Sequence, residues 1–151
     1  VTGAGRAAVA APADEVEAEL LAVARDVVAR AHPGEQVEVT VGRGRRTSVR
    51  AHGGRVESFT SATTSGLGVR VVVDHREGFA NAGSLDPDVV ADTLAEARDN
   101  AAFASPDDHL GLVEPDGVPE ADVDTWHPGV DALDDDERVA RAVGLERAVR
   151  A

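Results

Sequence analysis

Between Gln36 and Ala82 the apolar residues recur with a period of two, while on either side of that stretch they recur at helical spacing. A chain that changes period in this way must build a sheet in its middle and cover it with helices from its flanks. In the central stretch Val37, Val39 and Val41 alternate with Gln36, Glu38 and Thr40, which predicts a half-buried strand. Gly42-Arg43-Gly44-Arg45 is expected to turn the chain into a second strand, Thr47 to His52. Gly53-Gly54 is a two-residue hairpin signal, since both turn positions need positive φ, and Arg55 to Ala62 follows as a third strand. Ser65-Gly66 leads into Leu67 to Asp74, with Leu67, Val69, Val71 and Val73 on one face, and a short turn precedes a last strand through Gly78–Ala82. The expectation is an α+β two-layer sandwich: a mainly antiparallel meander of about five short strands, with helices packed on one face.

The flanks carry helix signals. Residues 1–13 are small and lack periodicity, and are expected to be disordered. Asp14, with Glu17 three residues on, predicts a capping box for a helix over 15–31 bearing Val16, Leu20, Val23 and Val27, ended by His32-Pro33-Gly34. Asp86 is an N-cap and Pro87 a first helical residue for a second helix, whose inward stripe is Val90, Leu94, Ala97 and Ala101; Ser105-Pro106 closes it. Residues 106–133, with Pro106, Pro115, Pro119 and Pro128, read as an extended strap that Trp126 pins to the body. Asp134 caps a helix over 134–151, which ends with no C-capping signal and so is expected to lead towards a second domain.

Composition narrows the function classes. Aromatic residues make up 3% of the chain, so the core must be built from Val, Leu and Ala. All 15 basic residues are Arg, against 28 Asp and Glu, and the net charge of -13 repels phosphate backbones. A nucleic-acid partner is not expected. With no Cys there are neither disulfides nor thiolate metal sites. No stretch has the length of a membrane span or the apolar core of a secretory signal, so a cytoplasmic location without a membrane partner is expected.

The chemistry-bearing residues are scattered. His32, His52, His75, His109 and His127 form no metal-ligand spacing and fit solvated or locally hydrogen-bonded roles. Asp134-Asp135-Asp136-Glu137 fits a helix cap with acidic complement to the dipole better than a cation site. The hydroxyl-rich run Ser58–Ser65 has no base or orienting partner nearby. Gly66-Leu67-Gly68 lies between strands, not before a helix N-terminus, and so lacks the setting of a phosphate loop. Arg43, Arg45 and Arg46 form a basic cluster, solvated or docking an acidic partner surface. No catalytic, cofactor-binding or metal-ligating residue is assigned. An exposed strand edge, where another chain or an extended peptide can add, is the functional surface expected instead.

Three segments in order carry a resemblance: Gly54-Arg55-Val56-Glu57-Ser58-Phe59, then Ser65-Gly66-Leu67-Gly68-Val69-Arg70-Val71, then Arg76-Glu77-Gly78-Phe79-Ala80. Glu96-Ala97-Arg98-Asp99-Asn100-Ala101 and Pro106-Asp107-Asp108 extend it. The series resembles the N-terminal domain of the TldD/PmbA family, over about Asp14 to Gly117, with wording that leans to the PmbA (TldE) type. The resemblance implies a domain over 14–105 within a longer cytoplasmic protein of a zinc metallopeptidase system. It would act in pairing with a TldD-like or PmbA-like subunit, as a homodimer or heterodimer, and in walling a chamber that takes extended peptides. In that family the zinc motif HExxxH lies in a later part of TldD-type chains; residues 1–151 contain no such motif, so no site residue is carried over and any zinc belongs to the parent protein or its partner. The alternatives are a non-proteolytic regulatory module linked to gyrase or a toxin, and the N-terminal part of the zinc-bearing subunit itself.

Overall fold

The computed structural model describes residues 13–151 except 115, 119, 120, 122 and 124–126. Trp126, with the anchoring role expected of it, and nearly all of the segment 1–13 lie outside the described residues. The elements are α1 (Ala13–Ala29), β1 (Gln36–His52), β2 (Arg55–Val73), β3 (Arg76–Ala82), α2 (Pro87–Phe103), α3 (Pro128–Asp131) and α4 (Asp135–Arg150). Helix α1 starts one residue before the Asp14 expected to cap it.

The sheet is antiparallel and has three strands in the order β1-β2-β3, not five. Two of the expected turns are absent. Neither Gly42 nor Gly44 adopts positive φ, and the chain runs extended through both, so the first two expected strands are one 17-residue strand. The third and fourth likewise merge into the 19-residue β2. There Gly66 serves a close approach: a Cβ on it would lie 2.5 Å from the Ala82 carbonyl oxygen of β3. The Gly53-Gly54 hairpin does form, with φ of 63° and 75°.

Two compact units share these strands. The first comprises the residues up to Arg43 together with Ser65–Val113, and the second comprises Gly44–Thr64 with Glu114–Ala151. In the first, β2 and β3 pair with Leu67 opposite Ala82, Val69 opposite Ala80 and Val71 opposite Gly78. Those residues face a cluster completed by Val27 of α1, Val37 of β1 and Val90, Leu94 and Ala97 of α2. The core is wholly aliphatic, and its fully buried Val27, Val69 and Val71 each contribute about 1.5–3 kcal/mol. Helix α2 is capped as its sequence requires: the Asp86 carboxylate accepts from the Asp88 N–H and Pro87 opens the helix.

In the second unit the far half of the β1–β2 hairpin forms a ribbon. Thr47, Val49 and Ala51 are half-buried, as are Val139, Ala142 and Val143 of α4, and the residues between them on β1 are exposed. Asp134 caps α4 through a 2.7 Å hydrogen bond from the Glu137 N–H, as the acidic run predicts. Short helix α3 falls within residues 106–133.

Candidate functional site

Most of the motif residues have structural work that accounts for them. Gly78 of β3 lies against α2 so closely that a Cβ would overlap the Ala97 carbonyl oxygen and the Ala101 nitrogen, and both alanines are fully buried. Arg76 donates to the Ala104 carbonyl at 2.9 Å and so closes the C-terminal end of α2. On the face of the sheet opposite the core, Arg70 donates to Glu77 at 3.2 Å. Glu38 lies 2.8 Å from Arg70 Nε but off its N–H direction, making a charge contact without a hydrogen bond. The Phe79 ring covers Gly68, where a Cβ would come within 3.1 Å of it.

The α2 motif is used in the same way. Arg98 forks onto Glu35, with Nε 2.9 Å from Oε1 and Nη2 2.9 Å from Oε2, and also donates to the Arg30 carbonyl. Burial alone would raise the Glu35 pKa; the hydrogen bonds from Arg98 and the His32 N–H, with their charges, outweigh it and leave the pKa lowered. Asn100 donates to the Phe79 carbonyl at 2.9 Å, occupying a backbone acceptor of the edge strand β3. A cleft of about 500 Å³ lined by Glu35, Asp74, Arg76 and Arg98 lies beside these groups, but both its arginines already hold protein acceptors.

The segment Arg55–Phe59 is different. All of Arg55–Thr64 is exposed, including Val56 and Phe59. Pairing with β3 begins at Leu67, so β2 has no strand on that side from Arg55 to Gly66 among the described residues. This stretch has neither Pro nor Lys, and beyond Glu57 it has no charge at all, so it lacks the usual protection of a free edge. The tip is held in place. Glu146 of α4 accepts from the Gly53 and Gly54 N–H groups, both at 2.7 Å, and Arg150 Nε lies 3.1 Å from the same carboxylate. The Gly54 hydrogen bond is the main cause of the lowered Glu146 pKa; partial burial opposes it, and the Gly53 hydrogen bond and the charges of Arg150 and His52 add to it.

The remaining sequence candidates stay apart. His32, His52, His75, His109 and His127 are all exposed, and the His127 ring accepts from the Gly129 N–H at 3.0 Å. Among the described residues no three His, Asp or Glu side chains are placed to hold a metal ion, and the residues present do not fit a zinc site. The basic cluster is divided: Arg43 pairs bidentately with Glu19 of α1, and Arg45 pairs with Asp135 at 3.2 Å, leaving Arg46. No helix of the described residues is long and apolar enough to cross a membrane.

Residues 37–101 match the family model for PmbA/TldA metallopeptidase domain 1. The chain is 30% identical over 113 residues to the metalloprotease PmbA of Escherichia coli O157:H7, covering 74% of this chain and 25% of that protein. It thus spans about a quarter of that relative. Two crystal structures share the fold: a proposed modulator of a DNA gyrase from Thermotoga maritima (TM-score 0.62, 19% identity, 86% of this chain and 27% of that one) and TldE from Thermococcus kodakarensis (TM-score 0.61, 20% identity, 88% and 29%). At those identities the structures speak for the fold alone. On the family match and the curated relative, residues 37–101 of the chain carry the first domain of the PmbA/TldD family.

Proposed function

We propose that this domain serves a PmbA/TldD-type metallopeptidase system in the cytoplasm by pairing with a second subunit and forming part of the wall of a peptide-degrading chamber. The observation that carries the reading is the free edge of β2 from Arg55 to Gly66. An edge with unpaired N–H and C=O groups binds another extended chain through main-chain hydrogen bonds. The same segment is the part of the family resemblance that packing does not explain. The leaning of the motif wording, together with PmbA and TldE among the relatives, favours a subunit of the PmbA type, with the zinc chemistry supplied by a TldD-like partner.

The test is co-expression with an HExxxH-bearing relative, followed by size-exclusion chromatography. The two chains should co-elute. Ser58→Lys, Thr60→Lys and Ala62→Lys, which place charge along the free edge, should separate them. Co-elution undisturbed by the three lysines would sink the edge-pairing role. The 151-residue chain by itself should cleave no peptide and retain no zinc after dialysis, and zinc-dependent cleavage by it would overturn the division of roles.

A further inference from the structure

The ribbon also has a face that its own unit leaves unsatisfied. Arg50 Nε lies 3.7 Å from Glu57 Oε2, so these two residues share one face. Alternation along each strand places Arg46 and His52 with Arg50, and Arg55 with Glu57. The burial pattern agrees, since Thr47, Val49 and Ala51 on the other face of β1 are half-buried while Arg46, Arg50 and His52 are exposed. One face thus gathers Arg46, Arg50 and Arg55 against the single acid Glu57.

This gathering runs against the chain's own charge, which is -13. Carboxylates outnumber arginines by 28 to 15, and Arg30, Arg43, Arg45, Arg70, Arg98 and Arg150 each have one within 3.2 Å. Arg46 and Arg55 have no ion-pair partner among the described residues, and Arg50, 74% exposed, has only the long contact to Glu57. Arg46 and Arg50 stand about 13 Å apart along the strand, a span that an extended partner crosses in about four residues. Guanidinium forks suit carboxylates bidentately. A short acidic segment brings few charges, whereas a nucleic acid brings one per phosphate and a second copy brings another -13, so the segment meets the least repulsion from the rest of the chain.

We propose that the Arg46–Arg50–Arg55 face of the ribbon docks an acidic, extended polypeptide segment of another protein. This holds whether or not the β2 edge pairs with a peptidase subunit, because it concerns side-chain charge on the face and not main-chain pairing at the edge.

The experiment is fluorescence anisotropy on the full 151-residue chain with a short fluorescein-labelled peptide alternating Glu and Val, its Gln counterpart, and a duplex DNA. The Glu peptide should bind, weaken as NaCl is raised, and lose about tenfold or more in affinity when Arg46→Ser, Arg50→Ser and Arg55→Ser are combined. The corresponding triple Lys variant should recover most of the binding, and circular dichroism should show both variants folded. Should the Ser triple variant misfold, the single Arg46→Ser change carries the test, with a smaller expected loss. Equal binding or no binding of the Glu and Gln peptides, an unaffected Ser variant, or tighter binding of DNA would each overturn the proposal. Self-association abolished by the Ser variant, seen by sedimentation, would overturn it in favour of a second copy.

Discussion

Replacing Gly78 with alanine adds one methyl group at the closest approach of β3 to α2. The new Cβ would overlap the Ala97 carbonyl oxygen and the Ala101 nitrogen, both main-chain atoms of a regular helix that cannot rotate aside. An ordinary C···O contact needs about 3.3–3.6 Å, so α2 must withdraw by roughly 1 Å or more. Overpacking alone costs about 1–3 kcal/mol. A gap of that size also forfeits about a quarter to a half of the dispersion energy along the buried Val90, Leu94, Ala97 and Ala101. The sum is about 3–5 kcal/mol for the first unit. Because the chain has two units, the assay is native-state hydrogen exchange read at α2 and β3. Slow amides there should exchange about a hundredfold to a few thousandfold faster. Gly144→Ala in α4 is the control: nothing lies within 4 Å of its added Cβ, and about 0.5–1 kcal/mol of stabilisation is expected. Acceleration below about fivefold in Gly78→Ala would show that the helix and strand are not locked together as described.

Two further outcomes are expected. Glu35 and Glu146 both have pKa values lowered from the ordinary 4.5, so the stability they confer is present above that value and is lost as pH falls through their lower folded values. On acidification, exchange should rise at the Gly53 and Gly54 amides and across the α1–α2 contact; Glu146→Gln and Glu35→Gln should flatten the respective responses, and an unchanged profile would refute the assignments. The β2–β3 turn places Asp74 and His75 at φ of 49° and 58°, a strained choice for a two-residue turn, so Asp74→Asn with His75→Gly should stabilise the first unit by about 1 kcal/mol in urea unfolding.

Much of the fold was legible because its signals are local. Asp86-Pro87 marked the start of α2 through cap chemistry, Gly53-Gly54 marked the hairpin through φ, and the valines of β1 and β2 declared a face through alternation. The strand count was misread because a glycine does not announce why it is there. Gly42 and Gly44 are extended and Gly66 clears the Ala82 carbonyl, facts set by partners distant in sequence. The grouping of Gly44–Thr64 with Glu114–Ala151 was invisible to a linear reading, since it joins two stretches of chain. For the site, the basic cluster at Arg43, Arg45 and Arg46 gave a partial signal. Sequence adjacency put together three arginines that strand alternation and two carboxylates separate, and it overlooked Arg50 and Arg55 across the hairpin. The pleat, with a period of two, carried the missing information.

The ribbon face has one more property that follows from its being built of arginine in a chain without a single lysine. Guanidinium groups keep their proton throughout the accessible pH range and offer no amine to acyl transfer. Acetylation, which silences many basic surfaces, therefore has no lysine target here, and acidification or alkalinisation cannot discharge Arg46, Arg50 or Arg55. Whatever meets those three guanidinium groups encounters a permanent charge, screened by the salt around them.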